Sequence, residues 1–157
     1  MGNSFTNIYV HLIFHTKSQG CKIREEDLPR VFHYIGGVIR SMSGCAFMVG
    51  GRPDHIHVLT TLPVSIALSD FVRDIKSNTT KWIKNIDQHY KEFGWQEGYG
   101  AFSVSESNKP AVVHYIETQK EHHQKLSALD EFCNFLKKHN YRLEDVQWWR
   151  VSKSSEE

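Results

Sequence analysis

The sequence contains little cysteine and has almost no net charge. Its three cysteines, Cys21, Cys45 and Cys133, are widely spaced and form no Cys-x-x-Cys pair, so neither a disulfide framework nor a cysteine zinc site is indicated. A net charge of +1 excludes a polycation that coats nucleic acid by charge alone. Any binding to DNA would therefore depend on local clusters of basic side chains.

Long apolar runs are also absent. The run from Ile8 to Phe14 is interrupted by His11 and is far shorter than the roughly 20 residues that a membrane-spanning helix needs. The first residues show no basic segment followed by an apolar core. We therefore expect a cytoplasmic protein that makes no contact with a membrane.

The length and composition are those of one globular domain. The chain has 157 residues, of which 39% are hydrophobic and 24% charged. A domain of this size and composition can bury a stable core without disulfide bonds. We expect a single domain over residues 1–150 and a disordered tail over residues 151–157. Ten histidines in a chain of this size direct attention to metal binding or proton transfer.

Hydrophobic periodicity predicts four strands and four helices. The strands are expected at residues 7–14, 45–49, 55–62 and 101–106, and the helices at 24–42, from a cap at Ser65 to about residue 86, at 110–124 and at 128–139. The order strand, helix, strand, strand, helix, strand is that of ferredoxin-like domains. The predicted fold class is α+β, with a ferredoxin-like antiparallel sheet, helices on one face and additional C-terminal helices.

The densest group of chemically active residues is Asp54-His55-Ile56-His57-Val58. Side chains two residues apart on a strand leave the same face, so His55 and His57 would converge on one ion while Ile56 turns to the opposite face. Partly buried histidines with backbone partners would give the same pattern. The His-x-His spacing alone does not decide between these interpretations.

A second group lies on the third predicted helix. Tyr115 and Gln119 are four residues apart and would share one helix face, which His122 or His123 extends by a turn. A phenol would then lie beside an amide oxygen that could reach the same metal. The alternative is that Tyr115 is a core aromatic residue and Gln119 is solvated.

Basic side chains form a third group, on the outer face of the second predicted helix. Arg73, Lys76 and Lys84 recur at helical spacing, with Thr80 between them, and Arg52 adds charge in the turn before the histidines. Such a stripe could bind a phosphate backbone. A solvated helix face is the equally simple alternative.

Three segments together resemble a known family over nearly the whole chain. They are residues 51–58 (GRPDHIHV), 95–105 (WQEGYGAFSVS) and 115–123 (YIETQKEHH). The combination is similar to that of HUH single-tyrosine transposases of the bacterial insertion-sequence 200/605 type and of their relatives that act on repetitive extragenic palindromes. The chain has no departure from the pattern at the matching positions.

The resemblance implies a metal-dependent endonuclease and strand transferase that cuts and rejoins single-stranded DNA. By that resemblance Tyr115 is the nucleophile that forms a 5′-phosphotyrosine link, and His55, His57 and Gln119 bind Mg²⁺ or Mn²⁺. The implied substrates are single-stranded hairpins at the ends of a mobile element in a bacterial or archaeal cell. The resemblance also implies a homodimer in which the tyrosine helix of one subunit docks on the histidines of the other.

Two other functions remain open. One is a non-catalytic or domesticated ferredoxin-like module that holds a nucleic-acid strand or hairpin through basic and aromatic side chains. The other is a hydrolytic metalloenzyme built on the histidine pair and one of His122 or His123, which would act without Tyr115.

Overall fold

The fold is built around one four-stranded antiparallel sheet. The computed structural model describes residues 4–17, 19–122 and 128–140. Strands β1 (Tyr9–His15), β2 (Ala46–Arg52), β3 (His55–Thr61) and β4 (Gly100–Val104) lie in the order β2-β3-β1-β4. All neighbouring strands are antiparallel. This order confirms the predicted ferredoxin-like α+β class.

Helices α1 (Leu28–Ser41) and α2 (Leu68–Lys84) cover one face of the sheet. Each helix has an apolar stripe at helical spacing, which includes Val31 and Ile35 of α1 and Phe71 and Ile75 of α2. These stripes pack on the strand residues that point the same way, such as Ile56, and all of them are fully buried. The main core therefore lies between the sheet and the first two helices.

The C-terminal helices lie on the opposite face. They are α3 (Lys109–Glu117), α4 (Gln119–His122) and α5 (Ala128–Lys138). Ile116 of α3 packs against Tyr9 and Leu59, which project from β1 and β3 away from the main core. The C-terminal helices thus form a second layer over the face that bears the histidines.

The start of α2 differs from the prediction. A cap at Ser65 was expected, but the helix begins at Leu68 with Ala67 in the cap position and no side-chain hydrogen bond there. Ala67 still has an extended backbone, with φ −67° and ψ 146°. The first free N–H groups of the helix therefore follow Ala67, and Ser65 is too far from them to act as the cap. The predicted Ser65 cap is wrong.

The predicted helix 110–124 is also interrupted. It ends at Glu117, since Thr118 has non-helical angles of φ −100° and ψ 26°, and α4 begins one residue later. The hydroxyl of Thr118 donates to the carbonyl of His114 at 2.8 Å, which satisfies a carbonyl at the end of α3. Residues 123 and 124 lie outside the described residues.

Other boundaries differ by a few residues. The first helix begins at Leu28 rather than at residue 24, because residues 25–27 form a 3-10 turn and Pro29 opens the α-helix. The fourth strand ends at Val104, and another 3-10 turn follows over residues 106–108. The predicted tail at 151–157 lies outside the described residues, and the single-domain boundary at residue 150 stays a prediction.

None of the helices within the described ranges is long and apolar enough to cross a bilayer. The cytoplasmic location remains a prediction. Cys21, Cys45 and Cys133 are free thiols, as their spacing indicated.

Candidate active site

The hairpin between β2 and β3 positions the first histidine. Arg52 pairs with His55 across a two-residue turn, so β3 begins with His55 itself. Gly51 has φ +152°, and a Cβ at that position would lie 2.2 Å from the carbonyl oxygen of His55, so only glycine fits this turn. His55 and His57 leave the same face and are each 1% exposed, as the strand alternation predicted.

Asp54 orients the ring of His55. Its Oδ1 lies 2.7 Å from Nδ1 of His55, and because an ionised carboxylate only accepts hydrogen bonds, we assign the ring proton to Nδ1. Burial alone would raise the pKa of the Asp54 carboxyl, but the hydrogen bond and charge interaction with His55 outweigh it and lower the pKa to about 2. Nε2 of His55 then faces the interior of the site, toward Gln119.

Two further histidines come from β1 and were missed in the sequence. His11 and His15 alternate with Leu12 and Phe14, so they lie on the same face as His55 and His57. We call the surface formed by these four histidines the histidine face. The period-two spacing of His11, Ile13 and His15 was the available signal.

His11 supports the second histidine of the pair. Its Nε2 lies 2.9 Å from Nδ1 of His57, and the two rings are 5.1 Å apart. Burial and the nearby His57 hold the pKa of His11 well below its usual value, so His11 is neutral. His15 stacks on His55 at 5.5 Å, and burial followed by the charges of His55 and His57 lowers the pKa of His15 to about 3.

Gln119 reaches His55 from the start of α4. Its side-chain nitrogen donates to the backbone carbonyl of Tyr115 at 3.2 Å, which assigns the orientation of the amide. The amide oxygen Oε1 then lies 3.1 Å from Nε2 of His55. The break at Thr118 therefore still leaves Gln119 buried beside His55.

Tyr115 lies over the same pocket. Its ring is half-buried, with its centroid 5.8 Å from that of His57 of the same chain, and its hydroxyl donates to Glu131. Burial, together with the hydrogen bond and charge of Glu131, raises the pKa of Tyr115, so the phenol is protonated at neutral pH. The phenol, the two imidazoles and the amide oxygen thus share one site.

Glu131, on α5, is the second feature that the sequence analysis missed. The carboxylate is 5% exposed and lies 2.9 Å from Nε2 of His57 and 4.0 Å from Nε2 of His55. The available signal was a carboxylate inside the apolar stripe of α5, next to Phe132 and one turn before Phe135.

The residues at this site are compatible with a divalent metal. One ligand atom each from His55, His57 and Glu131 lies within 4.8 Å of the others. These residues line a cavity of about 10 Å³, roughly the space of one water molecule or ion.

The hydrogen-bond roles at His55 also fit a cation. When Nδ1 carries the ring proton of His55, Nε2 of that ring and Oε1 of Gln119 are both acceptors, yet they lie 3.1 Å apart. Two facing lone pairs at this distance are stabilised when a proton or a shared cation lies between them. Imidazole nitrogen, amide oxygen and carboxylate oxygen are all ligands of divalent metals.

The predicted basic stripe lies away from this site. Helix α2 packs on the main-core face of the sheet, opposite the histidine face. Arg73 pairs with Asp70 and Asp74, and Lys76 donates to two backbone carbonyls of the loop before β4, at 2.8 Å each.

The remaining two predicted basic residues differ in their surroundings. Lys84 is exposed at the end of α2, and Arg52 pairs with Glu25. The DNA-binding role of the four basic residues stays a prediction. The proposed alternative ligands also stay untested, because the side chain of His122 and the whole of His123 lie outside the described residues.

The antiparallel ferredoxin-like sheet therefore carries a buried His-x-His pair that faces a tyrosine on a helix. The chain belongs to the family Transposase IS200 like, whose model matches residues 4–119. This confirms the family that the three sequence segments indicated.

Solved structures share the fold. A proposed transposase from Deinococcus radiodurans R1 is 20% identical, with a TM-score of 0.58 over 76% of this chain and 96% of that chain. The REP-associated tyrosine transposase bound to a REP hairpin is 17% identical, with a TM-score of 0.57 over 80% of this chain and 76% of that chain. No curated protein sequence matches the chain.

Proposed function

We propose that this transposase cuts and rejoins single-stranded DNA through a covalent link between Tyr115 and a 5′ phosphate. The proposal depends on one observation: the ring of Tyr115 lies 5.8 Å from that of His57, and the amide oxygen of Gln119 lies 3.1 Å from Nε2 of His55, so all four side chains are grouped at one site. Membership of the family supports the same chemistry.

His55, His57 and Gln119 would hold a divalent metal, Mg²⁺ or Mn²⁺. Asp54 and His11 support this role because each orients one imidazole, as partners outside the ligand shell commonly do in metal sites. When bound, such an ion polarises the scissile phosphate and stabilises the charge that develops during in-line displacement.

Tyr115 supplies the nucleophile. Its phenol oxygen attacks the phosphorus and forms a phosphotyrosine ester, while the bond to the 3′ oxygen breaks and that oxygen leaves with a proton as a free hydroxyl. The phenol proton is lost in the same step, and the carboxylate of Glu131 is its present hydrogen-bond partner. One phosphate ester replaces another, so a 3′ hydroxyl can reverse the reaction without ATP.

The proposed substrate is a single-stranded DNA hairpin. The related structure with a REP hairpin supports this class of ligand, although at 17% identity it shares only the fold. Exposed Lys84 is a candidate for backbone contacts, together with Arg52 and Arg73 once their acidic partners are displaced. Lys76 would act through the loop that it holds.

The central experiment looks for the covalent intermediate. Labelled hairpin oligonucleotides are incubated with protein and Mg²⁺ or Mn²⁺, and a denaturant-resistant protein-DNA species is expected. Tyr115→Phe should abolish this species, and His57→Ala should reduce it below detection. Tyr34→Phe is the matched control, because that tyrosine stacks on Trp82 on the opposite layer and should leave the adduct unchanged.

The outcomes separate the candidate functions. Survival of the adduct in Tyr115→Phe would overturn the proposed nucleophile. Hairpin binding that is equal with and without metal, with no adduct from any substrate, would favour the non-catalytic module. Phosphoester hydrolysis that persists in Tyr115→Phe would favour the hydrolytic metalloenzyme.

The shared dimer site is a separate question. Tyr115 already lies beside His57 of its own chain, which supports a site formed within one subunit. The composite dimer therefore remains a prediction that mixing tests. Cleavage restored by combining His57→Ala and Tyr115→Phe chains would support sharing between subunits, and absence of rescue would support the single-chain site.

A further inference from the structure

Glu131 is a buried carboxylate that is not among the metal ligands of the proposed function. It lies on α5, beyond the segment matched by the family, yet it is 5% exposed and its Oε1 is 2.9 Å from Nε2 of His57. A buried carboxylate is costly unless it is paired or bound to a metal.

Helix α5 is docked so that this carboxylate faces the pocket. Phe132 and Leu136 are each 3% exposed, and the ring of Phe135 lies 5.0 Å from those of both His11 and Tyr115. These apolar contacts bury the helix on the histidine face and place Glu131 at the pocket.

The position of the proton between His11 and His57 decides whether Glu131 faces a lone pair or a proton on Nε2 of His57. Nε2 of His11 lies 2.9 Å from Nδ1 of His57, so one of these two nitrogens donates to the other. If His57 donates from Nδ1 and carries no second ring proton, its Nε2 presents a lone pair to the carboxylate at 2.9 Å, an arrangement that needs a cation. If His11 donates, the ring proton of His57 lies on Nε2, next to the Glu131 carboxylate. The first arrangement is the one that metal ligation requires.

We propose that Glu131 is a ligand of this metal, in addition to His55, His57 and Gln119, so that metal binding and the docking of α5 stabilise each other. This inference rests on the metal site of the proposed function. Ligands about 2.1 Å from one ion lie roughly 3 to 4.3 Å apart. Oε1 of Glu131 lies 2.9 Å from Nε2 of His57, and Oε2 lies 4.0 Å from Nε2 of His55, so each carboxylate oxygen is close to that range from one imidazole.

Charge favours the same assignment. His55, His57 and Gln119 are neutral ligands, so they leave both positive charges of the ion in a buried site. The carboxylate neutralises one of these charges and is a preferred ligand of hard divalent cations. Linkage between two equilibria is reciprocal. If docking of α5 increases the affinity for the metal by some factor, metal binding increases the equilibrium constant for docking by the same factor.

The first test measures metal affinity without any DNA or catalysis. Binding of Mn²⁺ to the full chain is followed by electron paramagnetic resonance of the free ion. Glu131→Gln, which keeps the size of the side chain and an acceptor for Tyr115, should weaken binding by at least about tenfold. Glu131→Asp should restore part of the affinity, and Glu121→Gln, an exposed glutamate on α4, should bind as the unmodified chain does.

A second test measures the docking of α5 by hydrogen exchange. Saturating Mn²⁺ should slow exchange of the amides of residues 131–138 by about tenfold or more in the unmodified chain, and should not do so in Glu131→Gln. Circular dichroism of each variant checks that the fold is retained.

The results distinguish this inference from the proposed function. Unchanged Mn²⁺ affinity in Glu131→Gln, combined with loss of binding in His57→Ala, would overturn the role of Glu131 and leave the metal site standing. Failure of the unmodified chain to bind Mn²⁺ would overturn both. Slowed exchange in α5 that is equal in Glu131→Gln and the unmodified chain would also contradict the proposed ligand.

Discussion

Gly50 lies where the backbone of α3 crosses β2, and it provides a sharp test of how the site is assembled. It pairs with His57 across the sheet, and a Cβ at this position would lie 2.7 Å from the carbonyl oxygen of Ile116 and 2.8 Å from its Cγ2. The first distance is about 0.7 Å inside the 3.4 Å at which ordinary contact begins. Because the clash includes backbone, rotation of a side chain cannot relieve it.

We expect Gly50→Ala to destabilise the fold by about 1–3 kcal/mol, the usual cost of overpacking. The strain falls on the residue next to Tyr115, so α3 should move away from the histidine face. Gln119 follows α3 in the chain and should lose part of its contact with His55. Affinity for Mn²⁺ should therefore fall together with stability.

Gly36→Ala is the matched control. Gly36 lies in the middle of α1, and a Cβ there would meet nothing within 4 Å. The same substitution should stabilise the protein by about 0.5–1 kcal/mol, because alanine loses less backbone freedom than glycine when a helix forms. The two substitutions add identical atoms and should change stability in opposite directions.

Urea unfolding followed by circular dichroism measures both effects. With a slope of about 2 kcal/mol/M, the midpoint should fall by roughly 0.5–1.5 M for Gly50→Ala and rise by about 0.3–0.5 M for Gly36→Ala. Equal stability of Gly50→Ala and the unmodified chain, with unchanged Mn²⁺ affinity, would refute the close packing of α3 on β2.

Two further predictions concern residues outside the site. Burial alone raises the pKa of Asp27, but the hydrogen bond from Tyr90 and the charge of Arg24 outweigh it and lower the pKa. The ionised carboxylate therefore stabilises the fold above the unfolded pKa of about 4, and this contribution is lost as the pH falls through the lowered folded pKa. Asp27→Asn should cost about 1–3 kcal/mol at pH 7 and should flatten the acid limb of a plot of unfolding free energy against pH; an unchanged acid limb would contradict this origin. Lys76→Met removes two hydrogen bonds to the loop before β4 and should cost roughly 1–3 kcal/mol in urea unfolding, with faster hydrogen exchange at residues 95–99. Normal exchange in that loop would show that Lys76 does not hold it.

The alternation of β3 was sufficient to predict which face each residue takes. His55 and His57 on one side and Ile56 on the other follow from the two-residue period of a strand, and the structure has this arrangement. Helical spacing likewise predicted that Tyr115 and Gln119 would lie near each other, although the helix breaks between them at Thr118. The two residues still lie close together because only one residue, Thr118, interrupts the helix.

The start of α2 shows the limit of local patterns. Ser65 is a good capping residue in isolation, but it lies in a turn, Ala67 is extended and the helix begins only at Leu68. The role of Lys76 shows a similar limit. Its spacing on α2 predicted an exposed basic stripe, whereas its ammonium is used by a loop 20 residues further along the chain.

The sequence by itself determined the strand and helix order, the family and the shared direction of the histidine pair, because each depends on residues that are close in the chain. Only the tertiary structure decided that His11 would support His57 and that Glu131 would meet both imidazoles. In the sequence, His11 is 46 positions from His57, and Glu131 is 74 positions from it. Such pairings depend on sheet register and on how α5 packs, and no local period in the sequence specifies either.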